Sequence, residues 1–356
     1  MKKIMGTKVI PVKFSKTAMF LFFVLLSIFS HPPSFAHDIS GETVFRAYQH
    51  TYPGLVSGLS FQKGDWTIRA GNETWYWAGG RLLPSSLRGE EEHWSAHHFE
   101  LYPETAPSPE DYSSRFVESL RDSGGAEARL SRDDQHRGFQ AVLYGGLTRR
   151  EVESNIVRMN FLGKNINVHR GITENLKRID GEIRKIAAGT NVTAAEAAET
   201  AAFIASVGQI GGYNWREIRG SRRLSYHRWG LAVDIQPAGT GGKAVYWLWE
   251  QRRNPLWMLI PQERRWKPPN GVIRAFENEG FIWGGKWHLF DNMHFEYRPE
   301  LHEIKRLMAA PGLVIQGEDR PGRPDLQDGQ DLHHIFPNRT APPPRPRKGT
   351  PAPRGR

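Results

Sequence analysis

The sequence predicts an α+β fold, a small antiparallel sheet flanked by helices, preceded by an accessory region with a pattern of its own. Two observations carry this reading. From about residue 150 the chain moves between strand-like and helix-like periods. Two segments crowded with Gly, Trp, His and Asp, "SYHRWGLAVD" (225–234) and "GFIWGGKWHLFDNMHFEYRP" (280–299), read as turns feeding short strands. At 356 residues with 38% apolar side chains, the chain is long enough for one large domain or two small ones.

Residues 1–36 read as a signal peptide. Lys2, Lys3, Lys8, Lys13 and Lys16 precede an apolar run from Ala18 to Phe29, and Ser34-Phe35-Ala36 supplies the small-x-small pattern of a cleavage site. The run is shorter than the ~20 apolar residues of a spanning helix, so cleavage after Ala36 is expected over retention as an anchor. Cysteine is absent, so an exported chain must be held by packing, and any metal it binds must take its ligands from His, Asp and Glu.

Residues 37–150 form the accessory region. Its short β-like runs, as in "DWTIRAGNETWYWAGGRLLP", carry Gly and Asn turn signals, and a Ser, Glu and Pro-rich passage follows from Leu101 to Asp111. In "EEEHWSAHH", His93 and His97 have helical i, i+4 spacing, but Trp94 stands where a zinc protease carries glutamate, so a surface cluster is expected.

Residues 151–310 form the main domain. "FLGKNINVHR" alternates as a strand, and Ile172, Leu176, Ile179, Ile183 and Ile186 then trace one face of a helix that Gly189 can end. Thr193 with Glu196 predicts a capping box opening an Ala-rich helix to Val207, and "GGYNWREIRGSRRL" reads as loop. From 311 to 356 the chain becomes rich in Pro, Gly, Asp and Arg and ends "APPPRPRKGTPAPRGR", a disordered tail by composition.

Charge distribution narrows the function classes. The formal net charge is +10, but residues 1–36 carry five lysines and residues 332–356 six Lys or Arg, with no acid in either. The body between them is near neutral, and the final stretch lacks stacking aromatics, which argues against nucleic acid as a partner. The tail could instead tether the chain to anionic envelope polymers.

His227 and Asp234 lie seven positions apart, and Asp291 and His294 three. Taken alone, the first pair reads as ordinary polar residues. With the second cluster, two His and one Asp drawn from separate elements make a three-ligand set that leaves one zinc position open, as catalytic sites require.

The pattern Ser-x-His-x-x-Gly-x-Ala-x-Asp, followed by "WGG" and Asp-x-Met-His-Phe-Glu, resembles the zinc peptidases that include the VanX and VanY D-Ala-D-Ala peptidases and the phage L-alanyl-D-glutamate endolysins. It is most similar to the endolysin branch, because the acid three residues before the last histidine is aspartate. The likeness covers roughly 151–300. It implies a hedgehog/D,D-peptidase-like fold with Zn2+ in a cleft of the sheet, held by His227, Asp234 and His294, with Asp291 as general base.

Ser225 could bind substrate or serve as a turn hydroxyl, and Arg216 is the candidate for stabilising the oxyanion, with which Arg219 and Arg222 compete. Glu296, two residues past His294, is expected behind a ligand rather than on the metal. The implied activity is hydrolysis of an amide bond in peptidoglycan stem peptides by an exported protein, as L-Ala-D-Glu endopeptidase or D-Ala-D-Ala carboxypeptidase. The alternative is an inactive wall-binding protein on the same scaffold, which the full set of four catalytic residues disfavours.

N-terminal sequencing of cell-derived protein should find the mature chain beginning at His37; an intact Met1 or Lys2 terminus would mark a retained anchor instead.

Overall fold

The structure, a computed structural model, describes residues 39–97, 99, 101–121, 135–215 and 225–309. The expected signal peptide, the tail and Arg216 lie outside them. Among the described residues no helix is long and apolar enough to cross a membrane.

The chain opens with helix α1 (Gly41–Thr51), capped by Ser40, whose Oγ accepts the Thr43 N–H at 3.2 Å. Strands β1 (Val56–Gln62), β2 (Asp65–Ala70), β3 (Glu73–Tyr76) and β4 (Leu83–Pro84) follow as an antiparallel meander in chain order. Its first turn, Lys63–Gly64, has φ of 53° and 80°, the left-handed pair that matches strand twist in a two-residue hairpin. Short helices α2 (Ser114–Arg121), α3 (Gly138–Tyr144) and α4 (Arg149–Glu153) lead to the hairpin β5 (Ile156–Phe161) and β6 (Lys164–His169).

That hairpin corrects the reading of "FLGKNINVHR" as one strand. Leu162 and Gly163 take φ of 47° and 79° and turn the chain inside the motif. The alternation continues on both sides of the turn, which is why the pattern hid it. Helices α5 (Thr173–Ala187) and α6 (Ala194–Ser206) fall where periodicity placed them, with Leu176, Ile179, Ile183 and Ile186 buried and Gly189 left-handed beyond the end of α5. Thr193 accepts the Glu196 N–H, but Glu196 does not complete the capping box; its carboxylate pairs with Arg274 instead.

The second four-stranded sheet runs in the order β7 (Val207–Gly211), β8 (Ala232–Pro237), β10 (His294–Tyr297), β9 (Phe281–Trp283), all neighbours antiparallel. Helices α7 (Trp247–Gln251), α8 (Asn270–Asn278) and α9 (Pro299–Ala309) complete the α+β architecture expected from the sequence. Phe295 on β10 stacks on Phe276 of α8 at 3.9 Å between ring centroids, fixing the sheet to its helix.

One apolar cluster joins Phe45 and Tyr48 of α1, Leu143 of α3, Ile179 of α5 and Phe295 of β10, so residues before and after 150 share a core. Each fully buried side chain of this size contributes roughly 1.5–3 kcal/mol. A smaller cluster, Leu120, Trp247, Trp257, Met258 and Phe290, lies beneath the excursion between β8 and β9. The expected surface pair His93 and His97 is not one. His93 is exposed on a 3₁₀ turn, whereas the ring of His97 lies between the carbonyl of His136 (3.0 Å) and Gln140 (3.2 Å), and burial pushes its pKa down to about 3.

Gly230 sits at φ 70°, and a Cβ there would meet the His169 backbone N at 2.6 Å and Ile156 at 2.7 Å. Gly64 at φ 80° has nothing within 4 Å. Gly64→Ala therefore isolates the dihedral cost, and Gly230→Ala should lose about 1–3 kcal/mol more in denaturant unfolding, because packing strain is added.

Candidate metal site

The site is built on the two central strands. In the β8–β10 ladder His294 stands opposite Asp234 and Glu296 opposite Ala232. The two-residue period of a strand puts His294 and Glu296 on one face, and the small Ala232 leaves room beside Glu296. His227 arrives on a 3₁₀ turn, Tyr226–Trp229, which Ser225 caps by accepting the His227 N–H at 3.3 Å and Gly230 closes in the left-handed region. Ser225 is buried, and this capping bond is the turn role weighed for it.

Three donor atoms converge. Asp234 Oδ1 lies 2.9 Å from His294 Nδ1 and 3.1 Å from His227 Nε2, and the two nitrogens are 3.3 Å apart. Ligands held about 2.0–2.1 Å from a tetrahedral zinc are themselves about 3.3 Å apart. The triangle fits one face of such a site and leaves the fourth position open. His227, Asp234 and His294 form the group among the described residues that could hold a metal ion.

The outward nitrogens set the tautomers. His227 Nδ1 lies 2.7 Å from the Gly212 carbonyl, which can only accept, so Nδ1 carries the proton and the Nε2 lone pair faces inward. His294 Nε2 lies 3.0 Å from Glu296 Oε2, so with Nδ1 facing the centre Nε2–H donates to that carboxylate. Two inward lone pairs repel unless a cation or a proton lies between them.

The electrostatics make the same demand. Burial would push Asp234 up, but the contacts with His227 and His294 hold its carboxyl well below the usual range. Burial would push His294 down, but Asp234 and Glu296 hold it well above an ordinary imidazole. Burial opposes ionisation of Glu296 too, and His294 and Arg298 prevail in keeping it low. The centre is a pair of carboxylates organised around positive charge, which a divalent cation supplies as well as a proton.

The "WGG" motif locks the turn before β10. Trp283 Nε1 donates to the Asn292 carbonyl at 3.0 Å, and its indole lies where a Cβ on Gly285 would come within 2.1 Å. A Cβ on Gly284 would sit 2.6 Å from the Asp291 carbonyl and 3.3 Å from His294. Asp291 is held by its own N–H to Gly284 O (3.1 Å), by the Met293 N–H to Oδ1 (3.3 Å) and by a bridge to Tyr246. Trp287 packs against His294 at 5.6 Å, while Trp229 and Trp283 are core. His288 lies against Tyr112 and Phe116, outside the ligand triangle. The partner that sequence reasoning missed is Gly212, which accepts the His227 Nδ1 proton through its backbone carbonyl and leaves no side-chain signal.

Residues 219–297 match a family model described as D-alanyl-D-alanine carboxypeptidase, which contains all three donor residues and Asp291. Residues 44–99 match a domain of unknown function. No curated protein and no solved structure matches the chain. The matched segment supports the peptidase family broadly and does not extend over the remainder of the chain.

Removing any one donor should leave two ligands, too few to compete with water. His227→Ala, Asp234→Ala and His294→Ala should each lower bound zinc, measured by elemental analysis after dialysis, and full occupancy in all three would refute the assignment.

Proposed function

We propose that the chain is a zinc-dependent peptidase that hydrolyses an amide bond in peptidoglycan stem peptides on the exported side of the cell envelope. The observation that carries the reading is the triangle of His227 Nε2, Asp234 Oδ1 and His294 Nδ1 inside the segment matched by a carboxypeptidase family model. A bound zinc would polarise the scissile carbonyl and lower the pKa of water to about 7.

The protein's own groups do the rest. With zinc in place of the proton, His227 and His294 would turn lone pairs inward, because Gly212 and Glu296 hold their outer N–H groups. Asp291, three residues before His294, accepts the proton of the attacking water and passes it to the leaving amine. The Met293 N–H holds its Oδ1 at 3.3 Å and a β-bridge to Tyr246 holds its main chain, which supports a fixed carboxylate in this role. No covalent intermediate is required. Arg216, outside the described residues, remains the proposed oxyanion donor.

The L-Ala-D-Glu bond is the primary reading, on the aspartate at 291. Removal of terminal D-Ala is the second, favoured by the description of the matching family. Defined muropeptides incubated with the protein and zinc, then with chelator, decide by product mass. Cleavage at either bond that chelator abolishes and zinc restores supports the peptidase. Binding without products would instead make the chain a wall-binding protein.

Asp291→Asn preserves shape but cannot take the proton. It should keep zinc and lower turnover by roughly 10²- to 10⁴-fold. Zinc content and hydrolysis measured on one preparation check this. Retained zinc with near-normal hydrolysis would exclude Asp291 as the base, and lost zinc would make it a ligand.

A further inference from the structure

Behind His294 runs a chain of buried charges that hydrolysis itself does not call for. Arg298 Nη1 donates to Glu296 Oε1 at 3.1 Å while the other oxygen of that carboxylate faces His294, and Arg298 Nε donates to Glu300 at the start of α9. The side chains of Glu296, Arg298 and Glu300 are 9%, 14% and 0% exposed. The Arg298 guanidinium also lies 4.8 Å from the ring centroid of Tyr226, the residue before His227. One cation thus touches both ligand-bearing elements, one through a carboxylate and the other through a ring face.

The N-terminal region closes this chamber. Tyr226 packs on Tyr144 of α3 at 6.0 Å, Tyr144 on Tyr52 at 6.4 Å, and Tyr52 on Tyr48 of α1 at 6.0 Å. Tyr48, Tyr52 and Tyr144 are buried and Tyr226 is partly so, and together they shield ion pairs whose strength grows as the local dielectric falls.

We propose that Arg298 is a positioning residue for the metal centre. By gripping one oxygen of Glu296 it aims the other at the His294 Nε2–H. That hydrogen bond keeps the Nδ1 lone pair turned toward Asp234 and His227. A buried Arg–Glu pair that only balanced charge would affect folding and leave metal affinity alone. The inference rests on the zinc reading above and concerns affinity rather than turnover.

The test is a double-mutant cycle on the zinc dissociation constant, measured by competition with a chromophoric chelator, with the thermal midpoint recorded alongside. Arg298→Met should weaken zinc binding about 10- to 100-fold, the usual cost of losing an outer-shell partner, and Arg298→Lys by less. In a Glu296→Gln background Arg298→Met should add no further loss, because its route to His294 is already cut. Wild-type affinity in the folded Arg298 variants would overturn the proposal, as would an equal loss in both backgrounds. If Arg298→Met does not fold, Arg298→Lys carries the same cycle, since it keeps a charge but loses the two-pronged grip. A wild-type chain that binds no zinc would refute the peptidase reading and this inference with it. Tight wild-type binding with an insensitive Arg298 would refute this inference alone.

Discussion

A carboxylate held between two imidazoles is the constraint on which the rest depends. Asp234 Oδ1 is within 3.1 Å of both His227 and His294, largely out of water. Stripping water from such a charge costs several kcal/mol unless opposite charge and good geometry return it. The return requires β8 and β10 in one register, since a slip of one residue would send His294 to the opposite face of the sheet. It also requires backbone approaches that only glycine permits: Gly230 against the β6 backbone and Gly284 against Asp291.

From that centre the charges alternate outward, Asp234, the cation or proton at His294, Glu296, Arg298 and Glu300, each within contact of the next. Such an arrangement stabilises only when complete, because removal of one member leaves its neighbours buried and unpaired. The packing of α1 and α3 behind Tyr226 means that residues before 150 are part of this enclosure.

Sequence alone revealed much of the ligand chemistry and little of the enclosure. The helix of residues 173–187 was legible because a 3.6-residue period survives any context that buries one face. The grouping of His227, Asp234 and His294, which the structure brings together, was legible because their spacing and the surrounding Gly and Trp form a paired motif. The hairpin at Leu162–Gly163 was not, since alternation resumes directly beyond a turn of only two left-handed residues. The hydrogen bonds of His97 could not be read from its neighbours, because its partners His136 and Gln140 are about forty residues distant. Gly212 acts through its carbonyl, and the ring beside the Arg298 guanidinium belongs to Tyr226, distant in sequence. Long-range burial, rather than local pattern, decided each of these.

The strand order β7-β8-β10-β9 separates the two ligand strands in sequence while joining them in space. Everything from Ala238 to Gly280 leaves the sheet after Asp234 and returns before His294, with part of its apolar packing in a second cluster. Such a detour can be lengthened, shortened or redecorated with the metal triangle left intact, provided that Tyr246 still meets Asp291. Ladder and excursion are thereby separable along the chain, the ladder with its adjoining turn gathering His227, Asp234 and His294 and the excursion contributing Tyr246 against Asp291.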